Sequence, residues 1–145
     1  MKFYILGEKN ERIEIEVLIR IYPNSTDYWD ANWITSTIKI EIPGYLVQFT
    51  ADLRTDELRD FLAELTMISS DLSGKAMLLN MEDYIQLECQ MNKMGQLLWS
   101  GQTCYPVGNG AVLKFEFKSD QSYLQRLVKE VEDILLVFPV IGNPD

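Results

Sequence analysis

The sequence predicts an α+β domain: an antiparallel sheet of about seven to eight strands with two amphipathic helices packed on one side, in the order ββββαββββα. Three observations carry this. Segments of two-residue alternation fill most of the chain, an apolar stripe of helical period follows each group of them, and turn residues punctuate the joins. Strands with one apolar face and helices with one apolar stripe bury both surfaces when the helices cover the sheet. With 145 residues and no long linker, one domain over residues 1–145 is expected.

The elements follow in order. Phe3 to Leu6 is a short apolar run ended by the polar turn Gly7-Glu8-Lys9-Asn10. From Arg12 to Ile21, Ile13, Ile15, Val17, Ile19 and Ile21 share one face, the pattern of a half-buried antiparallel strand. A loop through Pro23 and a Trp-rich stretch lead to strands at Ile34 to Ile42 and Tyr45 to Ala51, joined by the turn Pro43-Gly44. The period then changes: Leu58, Phe61, Leu62, Leu65, Ile68 and Leu72 paint one helix face, with Thr55 as the expected N-cap and Gly74 as the stop.

The second half repeats the scheme. Lys75 to Met81, Asp83 to Met91, Gln96 to Gly101 and Ala111 to Lys118 read as strands, the last with Leu113, Phe115 and Phe117 inward. Leu124, Leu127, Val128, Val131, Ile134, Leu135 and Phe138 form the stripe of a second helix, capped by Ser119 or Asp120 and closed by Pro139. Both helices follow a strand bearing Phe (Phe49, Phe117) and a link containing Asp (Asp52, Asp120). Duplication and the economy of one-sided packing both explain this; the absence of wider self-similarity favours the second.

Composition excludes more than it assigns. With no histidine, Ser-His-Asp and Cys-His catalysis and His-bound zinc are ruled out. The many carboxylates leave an acid-base or magnesium-dependent enzyme formally open. By period, however, Glu14, Glu16 and Glu88 occupy solvent faces of strands, and Asp56, Glu57, Glu130 and Asp133 the polar sides of helices. No cofactor or metal site is read. Cys89 and Cys104 form no C-x-x-C pair and read as small buried hydrophobes without a redox role. The first apolar run is too short for a signal peptide, no stretch reaches the roughly 18 apolar residues of a membrane span, and a cytoplasmic protein is expected. A net charge of -9 repels phosphate, which argues against nucleic acid or anionic membrane as partner and for a basic protein.

One stretch stands out: Asp27-Tyr28-Trp29-Asp30-Ala31-Asn32-Trp33, with two of the three tryptophans. Trp29 and Trp33 admit two readings, as core aromatics holding a loop down or as exposed anchors flanked by Asp27 and Asp30. Asp27, Tyr28, Trp29, Asp30 and Trp33 are the candidate partner-binding residues. Tyr84, Trp99 and Tyr105 admit the same two readings, core being favoured for Trp99, which alternates with Leu97.

The set Tyr28-Trp29-Asp30 with Asn32-Trp33, then Gly44, Glu57-Leu58 to Leu65, Gly74, Glu82 to Leu87, Asp120-Gln121-Ser122, and Phe138-Pro139-Val140 with Gly142, resembles the WapI-type family of bacterial immunity proteins. The likeness runs from about residue 12 to 142. It implies an intracellular protein, not an enzyme, that binds and neutralises the C-terminal domain of a contact-delivered polymorphic toxin, typically a nuclease acting on RNA. It assigns no toxin-binding residues. The alternatives are a carboxylate- or magnesium-dependent enzyme, and a self-associating structural module.

Overall fold

A computed structural model describes residues 1–145. The chain order is β1 (Lys2–Leu6), β2 (Arg12–Arg20), α1 (Tyr28–Ala31), β3 (Trp33–Ile42), β4 (Tyr45–Arg54), α2 (Thr55–Asp71), β5 (Gly74–Leu79), β6 (Ile85–Met91), β7 (Gln96–Tyr105), β8 (Ala111–Asp120), a 3-10 turn Gln121–Tyr123, and α3 (Leu124–Val137). The expected α+β class and ββββαββββα order hold, with α1 as an addition. The strands are divided between two four-stranded antiparallel meanders, β1-β2-β3-β4 and β5-β6-β7-β8. Strand alternation cannot distinguish one sheet of eight from two of four, because the break between β4 and β5 lies in a long-range pairing that never forms.

Inner-face residues of both sheets and the apolar stripes of α2 and α3 join in one cluster of 28 buried residues. Trp99 lies in it, its ring 6.2 Å from that of Phe61 on α2. The sheets are stitched to each other near their edges: Glu8 N donates to Lys118 O at 2.9 Å, Ser119 Oγ to Leu6 O at 2.5 Å, and Asn80 Nδ2 to Asp52 O at 3.1 Å. These bonds satisfy backbone groups that sheet edges otherwise leave open.

Local details depart from the sequence reading for identifiable reasons. Between Val17 and Ile19 the β2-β3 register shifts, so that Val17 stands opposite Ser36 and Ile19 opposite Thr35. The extra residue turns Ile19 from the expected core face to the outer face, where it is 62% exposed. At α2 the N-cap is Arg54 and not Thr55, which is the first helical residue. Arg54 N donates to Glu57 Oε1 at 3.0 Å, half of a capping box. The helix ends at Asp71, before the expected stop at Gly74: Leu72 takes the left-handed capping position at φ 55°, and its side chain is exposed and not on the apolar stripe. Asp120 is the cap before α3, accepting from Ser122 N at 2.8 Å. On α3 the pairs Arg126 with Glu130 and Lys129 with Asp133 are closed, at 3.4 and 2.8 Å. Cys89 is buried as expected, and burial pushes its thiol up to about 12. Cys104 is partly exposed.

Candidate functional site

The Trp-rich stretch folds as one turn of helix. Asp27 caps α1, its Oδ2 accepting from Trp29 N at 3.1 Å and Asp30 N at 3.2 Å. So short a helix leaves its carbonyls without intrahelical partners, and side chains from distant segments take them. Arg54 Nη1 donates to Trp29 O at 2.7 Å and Nη2 to Tyr28 O at 3.1 Å. Arg20 Nη1 donates to Ala31 O at 2.7 Å.

Asn32, fully buried, fixes the other side. Its Nδ2 donates to Tyr28 O and Ile141 O, and its Oδ1 accepts from Ile141 N and from Thr55 Oγ1 at 2.7 Å. Arg20 also reaches Pro139 O. The turn is therefore tied at once to the β4-α2 junction and to the C-terminal tail.

Arg54 is the centre of this arrangement. It is fully buried, pairs through Nε with Asp56 Oδ1 at 2.9 Å, and lies 4.8, 5.3 and 5.4 Å from the ring centroids of Trp33, Tyr28 and Trp29. A planar guanidinium serves here as no ammonium would, since it donates in a fork within its plane and offers its face to aromatic rings.

The five sequence candidates thus divide. Tyr28 is buried, its ring edge-on to Trp29 at 5.0 Å, and its contacts are internal. Trp33 is half-buried against Arg54. Trp29 is 49% exposed on a backbone that cannot shift without breaking the Arg54 bonds. Asp27 and Asp30 are exposed beside it and take part in none of the ion pairs.

The structure adds residues that the sequence reading missed. Ile19, turned outward by the bulge, shares the outer face with Trp33, because Ile19 pairs with Thr35 and Ile21 N donates to Trp33 O. Arg54 and Arg20 carried one available signal, a charged residue ending a strand at the join to another element.

Glu57 was expected on the polar side of α2 and is instead buried. Its carboxylate accepts from Arg54 N, Asn80 Nδ2 and Met81 N, because the chain after β5 covers it. Burial nevertheless holds its pKa above the usual carboxylate range, those three donors opposing the shift and the charge of Asp56 adding to it. No three Cys, Asp or Glu side chains are placed to share a metal ion, and no helix is long and apolar enough to cross a membrane.

The model of the WapI-like immunity protein family matches residues 4–139. The chain belongs to that family. The assignment agrees with the resemblance carried by the Tyr-Trp-Asp and Asn-Trp motifs, and the family name itself denotes toxin immunity. No curated protein matches this WapI-like chain. Among solved structures, crystal structures of Trypanosoma bruciei MRP1/MRP2 are 12% identical, covering 94% of this chain and 84% of theirs at a TM-score of 0.52. A guideRNA-binding protein complex bound to a gRNA is also 12% identical, covering 93% of this chain and 89% of its own at a TM-score of 0.52. At such identity the WapI-like chain shares a fold with them and nothing more is carried over.

Proposed function

We propose that this WapI-like protein acts in the cytoplasm as the inhibitor of a basic toxin domain, a nuclease, and that Trp29 is the anchor of the contact. Trp33 and Ile19 extend the apolar surface, and Asp27 and Asp30 form its acidic rim. The observation that carries this reading is the combination at Trp29 of a half-exposed indole and a backbone locked by Arg54. Large aromatics in the centre of an interface supply most of its energy. An anchor already fixed in place loses little freedom on binding.

Charge supports the same partner. A nuclease must attract phosphate and is basic where it does so, and a chain of net charge -9 is steered to such a surface. A protein lying over that groove blocks substrate without chemistry of its own.

The test is a binding titration against the short C-terminal domain of a toxin encoded beside this gene, at low and high salt, with wild type and Trp29→Ala. Tight association that slows as salt rises is expected, together with a loss of at least about 2 kcal/mol, roughly 30-fold, in the variant. Unchanged binding by Trp29→Ala removes this surface from the interface. Failure of the wild type to bind at low salt removes the inhibitor reading altogether.

A further inference from the structure

A second aromatic surface lies where the two sheets meet. Phe49 of β4 stacks on Tyr105, at the end of β7, with centroids 5.0 Å apart and planes 21° from parallel. It also stacks on Tyr84, just before β6, at 6.3 Å and 25°. The two tyrosines are 6.5 Å apart at 28°. Phe49 is buried and Tyr84 half-buried, but Tyr105 is 48% exposed, so this three-ring cluster opens to solvent at Tyr105.

Two carboxylates lie near enough to Tyr84 for their charges to act on its hydroxyl. Burial first, and then the charges of Asp52 and Glu82 with neighbouring Tyr105, hold the Tyr84 hydroxyl above its ordinary pKa. Every ion pair in the protein is formed by other carboxylates, so Asp52 and Glu82 are unneutralised. A ring face carries negative charge density and attracts a cation, and adjacent free carboxylates add to that field. Among cations, a guanidinium can lie flat on a tyrosine while its edge donates in a fork to a carboxylate; an ammonium cannot do both.

We propose that the Tyr84 and Tyr105 face, with Asp52 and Glu82, receives an arginine side chain of the bound protein partner. The surface fits the basic partner of the functional reading above and rests on it for its biological meaning, but the chemistry can be read alone.

The experiment is NMR titration of the full chain with Nα-acetyl-arginine amide, Nα-acetyl-lysine amide and Nα-acetyl-norleucine amide. The arginine compound should saturably shift the ring resonances of Tyr84 and Tyr105, the lysine compound should do so more weakly, and the uncharged one should not. In Asp52→Asn/Glu82→Gln, whose altered side chains carry no structural ion pair, the arginine compound should bind about tenfold more weakly. Shifts confined to the Trp29 region, shifts scattered over all carboxylates, or equal binding by the double variant would overturn the proposal. These outcomes leave the Trp29 titration standing, and failure of that titration leaves these unaffected.

Discussion

Arg54 donates to the carbonyl of Trp29 at 2.7 Å while its guanidinium lies 5.4 Å from the centre of the same residue's indole ring. One buried side chain thus holds both the main chain and the ring of the proposed anchor. Replacing it by methionine keeps bulk but leaves Asp56 and the carbonyls of Tyr28 and Trp29 without these donors. The expected cost is about 3–5 kcal/mol, measured by urea unfolding. Arg54→Lys, with a point charge in place of a fork, should recover only part of it. An Arg54→Met protein as stable as wild type would show that the network contributes nothing.

The two tryptophans should respond differently to truncation. Trp33→Ala opens space beside Arg54 and is expected to cost about 2 kcal/mol or more, less than a fully enclosed tryptophan. Trp29→Ala removes a ring that is half in solvent and should change stability by about 1 kcal/mol or less. The stability measurement matters because a binding loss in Trp29→Ala can then be read as a lost contact. Equal destabilisation by both would place Trp29 among the core residues and empty the proposed interface of its anchor.

Sequence alternation made β2 legible as far as Val17, because each inward isoleucine is separated from the next by one outward residue. Beyond it the same alternation points the wrong way, since a bulge leaves no mark in hydrophobic pattern. Arg54 was hard to read for another reason: apart from Asp56, two residues on, its side chain finds its hydrogen-bond partners in α1, 25 residues earlier for Trp29, and a charge at the end of a strand was the one local sign. Glu57 likewise lies on a polar helix position that becomes interior only when residues 80–81 fold over it. The Trp-rich stretch, by contrast, was visible from composition, though not that Tyr28 would turn inward and Trp29 outward.

The bulge gives a direct check on that account. Ile19→Asp, on the exposed outer face, should alter stability by about 1 kcal/mol or less. Val17→Asp, two residues earlier and on the core face, should cost about 4 kcal/mol or prevent folding, because it buries an unpaired charge. If the two substitutions were equally damaging, Ile19 would lie on the core face as simple alternation suggests.

Ser36 is fully buried opposite the bulge, and its Oγ has no hydrogen-bond partner. A hydroxyl taken from water without a new bond is a net cost. Ser36→Ala removes the hydroxyl at the loss of a single atom's packing and should raise stability by up to about 1 kcal/mol in urea unfolding. Destabilisation beyond about 1 kcal/mol would mean that the hydroxyl is satisfied in solution.

Glu57 sets a pH dependence whose sign can be worked out. Its folded pKa is raised, by burial first, above the value it has in the unfolded chain. Protonation is therefore easier in the folded state, so this group's contribution to stability is fully present below the ordinary glutamate pKa. It is lost as pH rises through the folded value. Glu57→Gln cannot titrate, and its amide NH₂ placed toward Met81 N would leave that donor unpaired, so the variant is less stable at any pH. The quantity to follow is the gap in unfolding free energy between wild type and Glu57→Gln, from about pH 4 to about pH 7, around the ordinary glutamate value. Because wild type alone must ionise a covered carboxyl over this range, the gap should narrow as pH rises. A gap that widens instead would mean that the bonds from Arg54, Asn80 and Met81 outweigh the cost of burial and pull the folded pKa below its unfolded value.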